Sequence, residues 1–271
     1  MEYKNIDLSK YKIVIFTRSM NAKLFELSSQ LIGLPFKHIR LKHTSAISYF
    51  YDIMKYDIDY AINIDEDAFV SDPNKLLDFL KYVIANNYVN CGFPDGGILP
   101  IRNHNPLVTN PFFNILNIKE IKKNFNVKDV ENFDFTKYDY EKYAPNNLYK
   151  SEYQFDVCEP YYSFFLWLSI NYKTLYMDAE THADGCTSIL KDMNGEVILL
   201  HSWYSRFYGK DEFHTKRINN LVLECSGNSV REFNKLSDRI NSFADFLSFY
   251  YSKLKLEIRT KLKKFNLIDF V

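Results

Sequence analysis

The sequence has no run of ~18 apolar residues, so no stretch of it is suited to cross a membrane as a helix. It also has no C-x-x-C pair. Its four cysteines, Cys91, Cys158, Cys186 and Cys225, are far apart, and no structural zinc site is expected from their spacing. Net charge is absent: 34 Lys and Arg balance 34 Asp and Glu. That excludes a chain-wide basic footprint for nucleic acid and leaves room only for a local patch. The start, MEYKNIDLSKYK, is polar and charged rather than leader-like. Reduced thiols in a cytoplasmic protein are therefore expected. Internal repeats and low-complexity linkers are missing too.

At 46% hydrophobic and 25% charged, the composition is that of a globular protein, and 271 residues suffice for one large domain with an appendage. Tryptophan is scarce, at 2, yet there are 21 Tyr and 23 Phe. A low-GC coding bias accounts for this, in line with the many Lys, Asn and Ile. An aromatic surface that packs on sugar rings is the alternative.

Short apolar runs alternate with helical periodicity. KIVIF (12–16), FKHIRL and DYAINI read as strands. Residues 20–32 and 45–55 read as helices between them. DPNKLLDFLKYVIANN opens with Asp72 as a cap and Pro73 at the first helical position. YVNCGFPDGG follows as strand and turn, with glycine at positive φ expected in the turn. This order predicts a parallel α/β sheet in the first ~100 residues. Residues 102–155 are polar and weakly periodic, and read as insertions and loops. PYYSFFLWLSIN reads as a buried helix, YKTLYM and EVILLHSWYS as late strands, and the tail from about Ser229 as helical.

YAINIDEDAFV, residues 60–70, runs a buried strand into Asp65, Glu66 and Asp67. Ligands of open α/β sheets bind beyond the carboxyl ends of the strands. Residues two apart on an extended chain face the same way, so Asp65 and Asp67 could hold one divalent cation. Mg²⁺ or Mn²⁺ suits an oxygen site that leaves positions for phosphate. A solvated acidic turn is the competing explanation.

With these elements in place, the chain resembles the nucleotide-binding half of a GT-A glycosyltransferase, over about residues 10–210 in element order. Asp65 and Asp67 match the outer positions of that family's D-x-D motif, and Glu66 the middle one. The resemblance implies a GT-A-like, Rossmann-type mixed sheet flanked by helices, with a C-terminal helical extension. The units would be residues 1–228 and 229–271. It implies Mn²⁺ or Mg²⁺ and a nucleoside diphosphate sugar as donor. The reaction would be hexosyltransferase-like transfer to a hydroxyl of a glycan or glycolipid, as in building a surface polysaccharide. His201, at the end of an apolar strand, matches a late metal ligand; a histidine that simply ends a strand is the alternative. Thr17 and Arg18 lie where such folds meet the nucleotide. Arg206 could pair with phosphate or form a surface ion pair. Glu159, ahead of Asp156 in preference, matches a general base before a helix, and equally an acidic helix cap. Asp95 is a candidate sugar contact beside Gly96 and Gly97. His182 and Asp184 could touch a substrate or merely build a turn.

The tail pairs an apolar stripe with Lys253, Lys255, Arg259, Lys261, Lys263 and Lys264. It would pack on its own domain or a second subunit, or lie on the inner membrane surface. Two other functions compete. One is a non-catalytic nucleotide- or sugar-binding module. The other is a haloacid dehalogenase-like phosphatase, disfavoured because D-x-D follows the third strand and Phe69 replaces the expected Thr or Val.

Overall fold

The computed structural model describes residues 2–42, 45–144, 148 and 150–226, and the single positions Asp245, Leu247, Tyr250, Tyr251, Leu254 and Ile258. The chain runs β1 (Ile13–Arg18), α1 (Ala22–Ile32), β2 (Lys37–Leu41), α2 (Ala46–Ile53), β3 (Tyr60–Ile64) and β4 (Ala68–Val70). Then come α3 (Pro73–Ala85), β5 (Asn90–Pro94), β6 (Thr109–Asn117), α4 (Ile118–Ile121) and α5 (Val127–Glu131). It continues with α6 (Tyr162–Asn171), β7 (Thr174–Tyr176), β8 (Asp178–Thr181), β9 (Ser188–Lys191), β10 (Val197–His201) and α7 (Glu212–Ser226).

Two sheets result. The larger has the order β2-β1-β3-β6-β5-β7, and the smaller β4-β10-β9-β8. β1 is parallel to β2 and β3, whereas β6 is antiparallel to both β3 and β5. β5 therefore runs with β1 and β3, and β6 is the reversed strand between them. A six-stranded mixed sheet flanked by helices is the Rossmann-type, GT-A-like arrangement expected.

Alternation along β1 divides the core between the two faces of the large sheet. Ile13 and Ile15 pack with Leu76, Phe79, Leu80 and Val83 of α3. Val14 and Phe16 pack with Phe50 and Ile53 of α2 and Phe164, Phe165 and Leu168 of α6. The small sheet is covered by α1 and α7, through Leu24, Leu27, Ile218 and Leu221 against Phe69 and Leu200. Much of the aromatic content is thus core: Phe16, Phe50, Phe79, Phe93, Phe112, Phe113, Phe164 and Phe165 are fully buried. The cap of α3 forms as its sequence predicts, with Asp72 accepting from the amides of Asn74 (2.9 Å) and Lys75 (3.1 Å).

The middle of the chain differs from expectation. Residues 109–117, read as part of a looped insertion, are the buried strand β6. Three asparagines, a threonine and a proline interrupt its apolar pattern. Inside the sheet Thr109 and Asn114 bond to each other and to asparagines of the neighbouring strands. Asn63 Nδ2 donates to Asn114 Oδ1 (3.1 Å), Asn114 Nδ2 to Thr109 Oγ1 (3.0 Å), and Asn90 Nδ2 to the same hydroxyl (3.1 Å). β8, β9 and α7 are further elements where the sequence shows no clear apolar period. Most of the tail, including its six cations, lies outside the described residues, and the tail positions that are described are helical. Among the described residues no helix is long and apolar enough to cross a membrane.

Replacing Asn114 by alanine leaves buried partners without their bonds, at about 1–3 kcal/mol. Chemical denaturation of Asn114→Ala is expected to show that loss of stability.

Candidate active site

The D-x-D segment is the corner where the chain leaves one sheet and enters the other. The Asp65 amide still donates to Phe112 of β6 (2.8 Å), extending the β3–β6 ladder. Two residues later the Asp67 carbonyl accepts from the Ser202 amide (2.9 Å), just past the end of β10. In the β4–β10 pairing His201 stands opposite Ala68. That register puts the imidazole beside the corner, with Nε2 3.4 Å from Asp67 Oδ1. Phe112 stacks on the His201 ring at 3.9 Å, and Trp203 lies 4.2 Å from it.

All three carboxylates are buried, so a solvated acidic turn does not describe them. Each has its own partners. Arg18 Nη2 donates to Asp65 Oδ2 (3.1 Å). Glu66 Oε2 accepts from Ser19 Oγ (2.7 Å), the Met20 amide (3.0 Å) and the Asn21 amide (2.8 Å). Glu66 thereby shapes the loop after β1, where Asn21 caps α1. The environments separate the acids. Burial raises the Asp65 carboxyl, against the pull of Arg18. Burial works against the charge on Asp67 as well, but His201 and then Arg18 hold it below its usual value. Burial pushes Glu66 up to about 8, despite the bonds from Ser19 and Asn21.

Two buried atoms here lack a hydrogen-bond partner: Asp65 Oδ1 and His201 Nδ1. Carboxylate oxygen and imidazole nitrogen are ligand types that Mn²⁺ accepts. The donor set therefore fits such a cation, although its members have not converged. Asp67 and His201 touch, but Asp65 is held by Arg18. No choice of one atom from each of the three falls within 4.8 Å of the others.

The other anticipated residues are distributed unevenly. Thr17 is fully buried, and its hydroxyl meets His38 Nε2 at 2.8 Å, so it faces the protein interior instead of a nucleotide. Asp95 departs from expectation in the same way. It is fully buried and accepts from Arg102 Nε (2.7 Å) and Nη2 (2.6 Å), from Asn110 (2.7 Å), and from the Tyr162 hydroxyl. Both its oxygens are occupied by protein, which leaves none for a sugar. Gly97 has the expected positive φ, 85°. His182 and Asp184 build a turn. Asp184 accepts from the amides of Cys186 and Thr187 and from Arg217 of α7 (3.2 Å), while His182 reaches Glu224 (3.2 Å). Arg206 is exposed, with its guanidinium carbon 5.9 Å from the centre of the Phe207 ring. Glu159 is exposed in the segment before α6, and its carbonyl accepts from the Tyr162 amide. Asp156 is turned to His104 (2.7 Å) and Gln154 (3.3 Å). Burial raises the Tyr161 hydroxyl, and the neighbouring Asp95 adds to the shift.

Several contributors escaped sequence reading. Phe112 sits on a strand taken as loop. Trp203 and Tyr204, directly after Ser202, adopt φ of 54° and 58°, a strained conformation for non-glycine residues. Asp245, in the tail, accepts from Arg40 (3.0 Å), Lys42 (2.7 Å) and the Ala22 amide (2.7 Å). Arg40 also donates to Ser19 Oγ (2.9 Å), so one chain of bonds joins the tail to Glu66.

No family model matches the chain, and no curated protein does. Some solved structures overlap it in part. The mannosyltransferase PcManGT from Pyrobaculum calidifontis, in complex with GDP-Man and Mn²⁺, aligns over 42% of this chain and 46% of its own, with 8% identity and a TM-score of 0.32. A197 from STIV aligns over 69% and 93%, with 12% identity and a TM-score of 0.36. A glycosyltransferase involved in glycosylation of the major capsid of PBCV-1 aligns over 55% and 82%, with 14% identity and a TM-score of 0.27. The overlapping structures thus include glycosyltransferases. The chain spans about half of the mannosyltransferase.

The corner has a pH signature. Glu66 titrates at 4.5 when unfolded and near 8 when folded, so the native state holds the extra proton in between. Its contribution to stability is full below the unfolded value and is lost as pH rises towards 8. Glu66→Gln keeps an oxygen for the three donors and removes the titration. Its melting temperature should gain on wild type steadily between pH 5 and 8. A second outcome concerns Asp95. Asp95→Ala strands the Arg102 charge and should lower the unfolding free energy by about 3–5 kcal/mol, read from urea melts.

Proposed function

We propose that the chain is a metal-dependent glycosyltransferase that moves a sugar from a nucleoside diphosphate sugar to a hydroxyl of a glycan or glycolipid. Two observations carry this reading: Asp65 Oδ1 and His201 Nδ1 are buried without a hydrogen-bond partner, and the other imidazole nitrogen, Nε2, lies 3.4 Å from Asp67 Oδ1. Leaving such atoms without bonds is costly unless a ligand completes them. Asp65, Asp67 and His201 would hold Mn²⁺ or Mg²⁺. When bound, the cation acts as Lewis acid toward the leaving diphosphate.

Arg18 lies against Asp65 and supplies a fork of donors suited to phosphate. Glu159 would take the proton of the acceptor hydroxyl, which makes the transfer a single inverting displacement. Asp156 is less suited to that task, because His104 and Gln154 occupy its Oδ2 and its Oδ1 is buried away from an acceptor. One observation favours a second reading, a nucleotide-binding module without turnover. Arg18 already pairs with Asp65, one of the three residues that would hold the cation.

A thermal-shift panel of UDP, GDP, CMP and dTDP, each with and without Mn²⁺, tests the site. One diphosphate should raise the melting temperature only with Mn²⁺, by an amount equivalent to about 2.7 kcal/mol at a hundredfold excess over Kd. Asp67→Asn should lose the shift. If no nucleotide shifts wild type, the glycosyltransferase reading fails. A shift without release of sugar from any nucleotide-sugar selects the binding module.

A further inference from the structure

A second cluster of ligand-type side chains stands apart from the D-x-D corner. His104, Asp156 and Cys158 each offer one atom, and these atoms lie within 4.8 Å of one another. His104 Nδ1 is 2.7 Å from Asp156 Oδ2 and 3.5 Å from Cys158 Sγ. Among the described residues this is the one trio of His, Cys and carboxylate groups so arranged. The wide cysteine spacing gave no sign of it, because Cys158 has no cysteine partner and His104 comes from another loop.

The geometry distinguishes what the cluster can do. A nucleophile relay needs thiol and carboxylate on different nitrogens of the imidazole. Here both approach Nδ1, so the three groups share one point rather than form a chain. Groups that converge in that way are suited to surround a cation. The other oxygen of Asp156, Oδ1, is buried and has no hydrogen-bond partner. It is a spare acceptor in the same cluster, independent of the contacts to His104.

The backbone holds the ligands in place. The His104 amide donates to the Asp95 carbonyl (3.1 Å), and its own carbonyl accepts from the Gln154 amide (3.4 Å). Asn105 Nδ2 donates to the Asp156 carbonyl (2.9 Å). The loop also needs Gly96: a Cβ there would fall 1.9 Å from the His104 carbonyl oxygen. Two segments are therefore clamped together where their side chains meet.

We propose that His104, Asp156 and Cys158 form a binding site for a borderline-soft divalent cation of the zinc class. Thiolate sulfur with imidazole selects zinc over magnesium or manganese, so the site differs in chemistry from the corner at Asp65 and Asp67. Tetrahedral zinc requires its nitrogen and oxygen ligands roughly 3.3 Å apart, from bond lengths near 2.0 Å. The His104–Asp156 contact therefore opens slightly as the ion takes the place of the shared proton, which moves to Nε2 of the neutral imidazole or leaves to solvent. The Cys158 thiol gives up its proton to solvent when sulfur binds the metal. Three protein ligands leave the fourth position to water or a small ligand. Occupied, the site would fasten the segment ahead of α6 to the loop after β5. It also assigns Asp156 to metal rather than to acid–base chemistry. None of this depends on the glycosyltransferase reading.

Cobalt titration of the full chain, freed of metal with a chelator, tests the site. Equimolar Co²⁺ should give a near-ultraviolet thiolate-to-metal band with visible tetrahedral absorption, both removed by Zn²⁺. Cys158→Ser, at an exposed position, should fold normally and lose the thiolate band. His104→Ala should weaken cobalt binding. Asp67→Asn should retain the full spectrum, which separates this site from the corner. Absence of the band in wild type overturns the proposal. So does a band that survives in Cys158→Ser, or one that disappears with Cys186→Ser or Cys225→Ser instead.

Discussion

Three consecutive carboxylates are buried where one strand passes from the large sheet to the small one, and the surrounding structure is arranged to tolerate them. Burying a charge is expensive unless it is paired or hydrogen-bonded. Asp65 takes Arg18 from the end of β1, Glu66 takes the loop that follows, and Asp67 takes His201 from the end of β10. These partners come from both sheets. The corner therefore ties together β1, β3, β6 and β10 as well as carrying the candidate chemistry.

Division of labour within the motif explains its spacing. The alternate residues Asp65 and Asp67 face the ligand-type atoms, while Glu66 between them turns to the backbone of the α1 entry. The middle residue anchors the α1 entry, while the outer two meet side chains from the ends of β1 and β10. It also ties their position to α1 and, through Ser19 and Arg40, to Asp245 in the tail.

Much of this was legible in the sequence because it depends on local patterns. β1, β3 and α3 follow from apolar runs and a capping aspartate, and the acidic block after β3 marks the corner. β6 was hidden because its buried asparagines look like loop residues until Asn63, Asn90 and Thr109 are seen to satisfy them. Asp95 read as exposed turn chemistry, whereas Arg102, Asn110 and Tyr162 enclose it from positions that no local spacing connects. The His104, Asp156 and Cys158 cluster is equally non-local, being assembled by a close approach at Gly96.

The pairing of β10 with β4 also makes the corner sensitive to chain length. Side chains alternate faces along β10, and His201 reaches Asp67 only because Leu200 stands opposite Phe69. Removing one residue between β9 and β10 would offer the sheet two poor options. It could keep its hydrogen bonds and put Ser202 where the imidazole stood, turning the other side chains of β10 to the wrong faces, or keep β10 in register and strain the shortened turn. The turn at 192–196, remote from any ligand atom, thus acts as a ruler for the site.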